Sequence, residues 1–289
     1  MNRTQYFRSV VVVVCLSATV SALSAQDAAM SEMPQLVAVL TSAEAPVFDK
    51  AKACQRLVII GDESAVPALA GLLADAKLSA YARDALEAIP GTAPDVVFRD
   101  ALSRLEGERL IGVLGSIGVR RDAEAIDAVA TFLGSDDAAT VAAAARALGH
   151  IGTPAAADKL RNTLSEATAE SGPALGNACL VCIQELTKQG ERDKAVTLCD
   201  ALQDAELPQH IKLAATRNAI AVLGQKGLPR LVELLESDDE SQFRVALHVA
   251  RHLDDRLGVS KALIAAFKEQ SPSRQALMLI ALGDLGQQA

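Results

Sequence analysis

The stretch Ser135–Gly152, SDDAATVAAAARALGHIG, decides how this chain is read. Val141, Ala144, Ala145, Leu148 and Ile151 fall at helical spacing on one face. Asp136 and Asp137 open the helix, where the positive end of its dipole favours negative charge. Gly149 and Gly152 are expected to punctuate its end, where a left-handed residue is commonly needed. Such a helix cannot bury its apolar side alone. The same design recurs at Ser237–Leu253, SDDESQFRVALHVARHL, 102 residues on, which is three periods of 34. Glu170 and Asp204 stand at the intermediate steps. A period of that length predicts stacked helical hairpins, each packed only against its neighbours.

The rest of the chain extends the array in both directions. Acids mark the joints between hairpins at Asp75, Glu106, Asp136, Glu170, Asp204 and Asp238, in steps of 31, 30, 34, 34 and 34. The early repeats are therefore the shorter ones. Ser31–Thr41 is expected to cap the open end with Met33, Leu36, Val37 and Leu40. In the first full helix, Pro46–Ile60, the expected stripe is Val47, Ala51, Cys54 and Val58, and Glu63–Ala74 follows it. The next pairs are Leu78–Ile89 with Ala93–Leu105, and Glu108–Ile117 with Asp122–Leu133, the latter turned at Gly118–Arg121. Then come Asp136–Ile151 with Pro154–Leu164, Gly172–Thr187 with Arg192–Leu202, Pro208–Leu223 with Leu228–Leu235, and Glu240–Leu253 with Val259–Phe267. Pro272–Leu285 is a further first helix. Residues 31–289 thus read as one array of about seven hairpins plus terminal helices. No run alternates apolar and polar residues as a strand would.

Composition agrees with closely approaching helices. Half of the 289 residues are hydrophobic, only 3% are aromatic, and there is no Trp. A formal charge of −8 argues against nucleic acid as the partner, because phosphates need a basic face. Residues 1–25 read as a secretory signal peptide: Arg3 and Arg8 begin it, Val10–Leu16 is an apolar run, and small residues follow. Its removal takes the charge from −8 to about −10. No other stretch is apolar enough to span a bilayer, so no membrane insertion is expected after signal removal, and the expected location is periplasmic or secreted.

Ile60-Gly61-Asp62-Glu63-Ser64-Ala65-Val66-Pro67-Ala68-Leu69 and Ala147-Leu148-Gly149-His150-Ile151-Gly152 resemble HEAT repeats of the kind found in phycobilin lyases. Gly112–Asp122, GVLGSIGVRRD, is similar to the HEAT portions of large secreted bacterial proteins. The resemblance implies an all-α fold, a right-handed α-α superhelix (HEAT-like solenoid) with second helices lining a concave side. Because each hairpin touches only its neighbours, the array makes a long curved surface, and the leading expectation is a non-catalytic scaffold that takes a protein partner on the concave side, with no cofactor. The alternative is an accessory module positioning a sugar-active or electron-transfer enzyme domain. A lyase acting on a tetrapyrrole is a third reading, but no catalytic residue carries over to this chain.

Five features are candidates for chemistry. Arg120-Arg121-Asp122 is the most pointed polar cluster, a partner-contacting turn if the arginines reach out, or a cap and local ion pairs if they do not. Cys179 and Cys182 form a CxxC pair in mid-helix, without the His that haem attachment requires. Cys182 and Cys199 are expected to lie level across a hairpin turning near Gly190, either as a disulfide or as buried thiols. His248 and His252 share a face at i,i+4, but Val249 stands where a zinc peptidase places Glu. The glycines at 112, 115 and 118 lack the Lys-Ser/Thr of a phosphate loop, and are expected to serve helix packing, with Gly118 in a turn.

Overall fold

The computed structural model describes residues 32–287; the proposed signal peptide and the first residue of the cap lie outside them. Among the described residues the regular structure is helical throughout, and the fold is all-α. The chain divides into two compact units, one ending at Ser116 and the other starting at Ile117.

In the first unit, helix α1 spans 32–41 and buries Met33 and Leu40. Helix α2, Val47–Ile60, buries Ala53, Cys54 and Leu57. The expected stripe is therefore shifted: Cys54 is in it, whereas Val47 and Val58 are exposed. Helix α2 packs on α4 (Ser79–Ala88), and it is the face of Ala53, Cys54 and Leu57 that is buried. Phe48 is also exposed, with Lys52 Nζ 4.5 Å above its ring. The second helices are short here. Glu63–Ala65 is a 3₁₀ turn capped by Asp62, and α3 covers only Val66–Ala70. Helix α5, Ala93–Ala101, closes the next hairpin and buries Phe98. Both are shorter than the expected Glu63–Ala74 and Ala93–Leu105.

Helix α6, Gly107–Arg120, carries the division between the units. The second unit continues with α7 (Ile126–Thr131), α8 (Ala138–Ile151), α9 (Pro154–Leu164), α10 (Gly172–Lys188), α11 (Arg192–Asp204), α12 (Gln209–Leu223), α13 (Leu228–Glu236), α14 (Glu240–Ala250), α15 (Arg256–Phe267) and α16 (Pro272–Gln287). First helices pack on first helices, α8 on α10, α10 on α12, α12 on α14 and α14 on α16. Second helices do the same, α7 on α9, α9 on α11 and α13 on α15. This is the short-range pattern that a 34-residue period requires.

The stretch that decided the reading behaves as its stripe predicts: Val141, Ala144, Ala145, Leu148 and Ile151 are all buried. Asp137 caps α8, accepting from the Thr140 amide at 3.1 Å and the Thr140 hydroxyl at 2.6 Å. Only one of its two glycines ends it. Gly152 takes the left-handed conformation, φ 66°. Gly149 lies inside the helix, where a Cβ would come 2.6 Å from the carbonyl oxygen of Ala178 on α10. Gly118 is likewise helical, against the Cα of Ala147. Both glycines let first helices approach backbone to backbone, which a methyl group would prevent.

Candidate partner-binding site

Two charged edges of the second unit carry the candidate residues. The first is formed by the turns within hairpins. Such a turn uses a left-handed residue to fold the chain back after a first helix. Gly152, Gly190 and Gly224 fill that position, and Arg121 fills it after α6 with φ 55°. Arg121 is the only non-glycine residue with positive φ among the described residues. The Asp122 amide bonds to Ile117 O at 3.2 Å, which closes the C-terminal turn of α6. Asp122 is buried and accepts from the Glu124 amide at 3.0 Å, capping a 3₁₀ turn at Ala123–Ala125 that leads into α7.

The side chain of Arg121 explains why glycine is not used there. Its Nη1 is 2.6 Å from Glu185 Oε2, and Lys188 Nζ is 2.8 Å from Glu185 Oε1. The Glu185 side chain is only 8% exposed and lies directly under Gly152, where a Cβ would strike it. The Lys188 and Arg121 hydrogen bonds hold the Glu185 carboxyl below its ordinary range, in spite of burial. Gln189 adds a bond to Gly152 O at 3.1 Å. Three hairpins are tied by these contacts. Two members of the predicted cluster, Arg121 and Asp122, are thus engaged in the fold's own turn, while Arg120 ends α6 as a half-buried side chain.

Further along this edge a groove of about 710 Å³ is lined by Arg192, Asp193, Lys226, His252, Asp254 and Asp255, among others. The His252 ring packs against His248, with centroids 4.6 Å apart, and its Nδ1 lies 2.8 Å from His248 O. Burial, then the charges of His252, Arg217 and Arg251, push the His248 pKa down.

The second edge is the face made by the second helices. Lys159 Nζ on α9 pairs with Asp127 on α7 at 2.8 Å. Lys194 Nζ on α11 pairs with Asp158 on α9 at 3.2 Å. Arg230 on α13 holds both Asp200 oxygens on α11, at 2.8 and 3.3 Å. Each rung sets the acid on the earlier helix and the base on the later one. Single exposed pairs add about 0–1 kcal/mol, so their main effect is to hold side chains in place. The third rung borders a recess of about 370 Å³ that also presents Gln203, Lys212, Thr216, Glu233 and Gln242. Lys212 Nζ donates to Gln203 O at 2.9 Å, and the Gln203 amide returns to Lys212 O. The sequence reading did not single out these residues; the pairing signal is an acid and a base about one repeat apart on second helices.

Cys179, Cys182 and Cys199 lie buried in the α10–α11 hairpin. Cys182 and Cys199 are free thiols in this structure. Burial pushes both thiols up to about 12.

Residues 106–171 match the family described as HEAT repeats. That segment is similar to HEAT repeats. It holds the Arg120–Asp122 turn and the stretch Ser135–Gly152. No curated protein matches the chain. Among solved structures, an engineered protein is similar at 18% identity, over 90% of this chain and 80% of its own, with a TM-score of 0.41. The complex of CpcE and CpcF of phycocyanin lyase from a Nostoc species is similar at 18% identity, over 86% of this chain and 93% of its own, with a TM-score of 0.34.

Proposed function

We propose that this chain is a non-catalytic scaffold, exported to the periplasm or beyond, that holds a protein partner on the face of its second helices. The observation that carries the reading is the row of rungs Asp127–Lys159, Asp158–Lys194 and Asp200–Arg230, beside the recess at Lys212 and Glu233. Polar side chains already held in position lose little freedom when a partner docks, which favours binding without new ordering. The carboxylates of this row are all engaged with cations, an arrangement suited to recognition rather than to proton transfer. A few of these side chains would dominate the affinity.

A photo-crosslinking residue at Glu233 tests this. One discrete protein adduct from that site, and none from the same residue at Arg244 on the first-helix α14, is the expected result. Equal adducts from both positions, or none from Glu233, would sink it. Exposed Ile264 on α15 and Ile280 on α16 favour a second reading, an accessory module with an enzyme domain seated at that end. Crosslinks confined to Ile264 would select that reading instead.

A further inference from the structure

The last turn of α14 carries two imidazoles. His248 and His252 stand four residues apart and both are exposed. Helix α14 closes at Ala250, but the His252 amide still bonds to Val249 O at 2.9 Å and the Leu253 amide to the same oxygen at 3.2 Å. The helical turn therefore carries on through His252. The two ring centroids are 4.6 Å apart, with the planes tilted by 39°. His252 Nδ1 lies 2.8 Å from His248 O. A carbonyl oxygen only accepts, so Nδ1 carries the proton and Nε2 keeps its lone pair. The His248 ring makes no hydrogen bond among the described residues and can turn about its own axis.

Two imidazoles side by side on one ion hold it through nitrogen at about 2.0–2.1 Å, which sets their ring centres about 4.5–5 Å apart. The separation of His248 and His252 falls in that range. The bond from His252 Nδ1 to a backbone carbonyl is the kind of contact that fixes the orientation of a metal-bound histidine and strengthens its other nitrogen as a donor. The C-terminal end of a helix also favours a cation. Val249 removes the base that a zinc peptidase needs and leaves the chelate untouched.

We infer that His248 and His252 form a two-imidazole chelate for a divalent late transition ion (copper, nickel or zinc), held through the two Nε2 atoms. Imidazole selects these ions over magnesium and calcium, which take oxygen ligands. Among the described residues no third His, Cys, Asp or Glu completes the set. The remaining positions go to water or to a ligand from another molecule, which can approach from the groove that His252 lines. Neighbouring charge limits the affinity. Arg217 and Arg251 both bring positive charge to bear on His248. Asp284 neutralises Arg251 at 2.8 Å, whereas Arg217 has no ion pair among the described residues. The chelate lies apart from the second-helix face and does not depend on the scaffold reading.

The test titrates zinc into the full chain by calorimetry while NMR follows the histidine ring nitrogens. Expected is one ion per chain, with the His248 and His252 Nε2 signals shifting together. The signals of His150 and His210, also exposed, should stay in place. His248→Ala or His252→Ala should weaken binding about tenfold or more, because the second imidazole acts at high effective concentration. Arg217→Gln should tighten binding about threefold by removing a repelling charge, a gain that a misfolded variant would not show. Excess magnesium should not compete. No heat and no shift at about millimolar zinc, binding that survives both alanine variants, or equal shifts at His150 and His210 would overturn the chelate.

Discussion

Arg121 donates to Glu185 across 2.6 Å, though 64 residues separate them, and it does so from a backbone φ of 55°. The equivalent turns at 152, 190 and 224 use glycine. A side chain in that conformation costs about 1 kcal/mol or more, so the ion pair must offset a penalty that the other turns avoid.

Arg121→Ala should therefore lose the pair and keep the backbone penalty. A loss of about 1–3 kcal/mol in a urea titration is expected. Arg121→Gly loses the same pair but relieves the strain, and should be about 1 kcal/mol more stable than the alanine variant. With Glu185→Gln the double-mutant cycle should show coupling above about 0.5 kcal/mol. Equal stability of the glycine and alanine variants would contradict this account of the turn.

Acid should weaken the protein in two windows. His248, though exposed, is held below its ordinary 6.5 by partial desolvation and then by the charges of His252, Arg217 and Arg251, so the unfolded chain takes up its proton first. Its contribution is complete above 6.5 and is lost as pH falls through the lower folded value. Glu185 is held below 4.5 by Lys188 and Arg121, and Asp137 below 3.8 by Thr140 and its cap bonds. Their contributions are present above those values and vanish as pH falls through the folded ones. Thermal melts from pH 8 to about pH 3 should show both declines. His248→Gln should flatten the first, and Glu185→Gln should shrink the second.

Two glycines one hairpin apart should respond oppositely to alanine. At Gly149 the added methyl would meet the Ala178 backbone at 2.6 Å, and neither helix can yield locally. A loss of about 1–3 kcal/mol is expected. At Gly115 nothing lies within 4 Å, so helix propensity alone acts and the gain should be about 1 kcal/mol. Melting temperatures moving the same way for both would count against close approach as the reason for Gly149.

The period was legible because it depends on apolar spacing and on acids at helix starts, both local properties. The stripe of α8 and the acids at its start follow directly. What helix spacing could not settle was which of two adjacent faces a neighbour covers. Val47 and Val58 are misplaced on α2 for that reason, since Ala53 and Leu57 are the buried residues and the two valines are exposed. Gly118 and Gly149 read as stops because a glycine near a helix end has two uses, and only the position of Ala147 or Ala178 decides between them. The sequence leaves Arg121 between a partner contact and a local ion pair because its partner Glu185 lies two hairpins away. The second-helix rungs were invisible for the same reason: their registers are set by packing.

The thiols give a prediction that depends on burial alone. Cys54 is pushed up to about 11, and Cys182 and Cys199 to about 12, mainly because an anion in an apolar helix interface has lost its hydration. Cys179 is raised still further by the same cause. The thiolate is the reacting species, so all four should resist alkylation by iodoacetamide at pH 8 and react only through local opening. Under denaturant the four should label together. In the native protein Cys54 should not react before the α10–α11 trio by more than the difference in opening of the two units allows. The non-reduced intact mass of residues 26–289, which leave out Cys15, should correspond to four thiols; a mass lighter by two hydrogens, with Cys182 and Cys199 unlabelled even in denaturant, would show that the hairpin is locked by a disulfide.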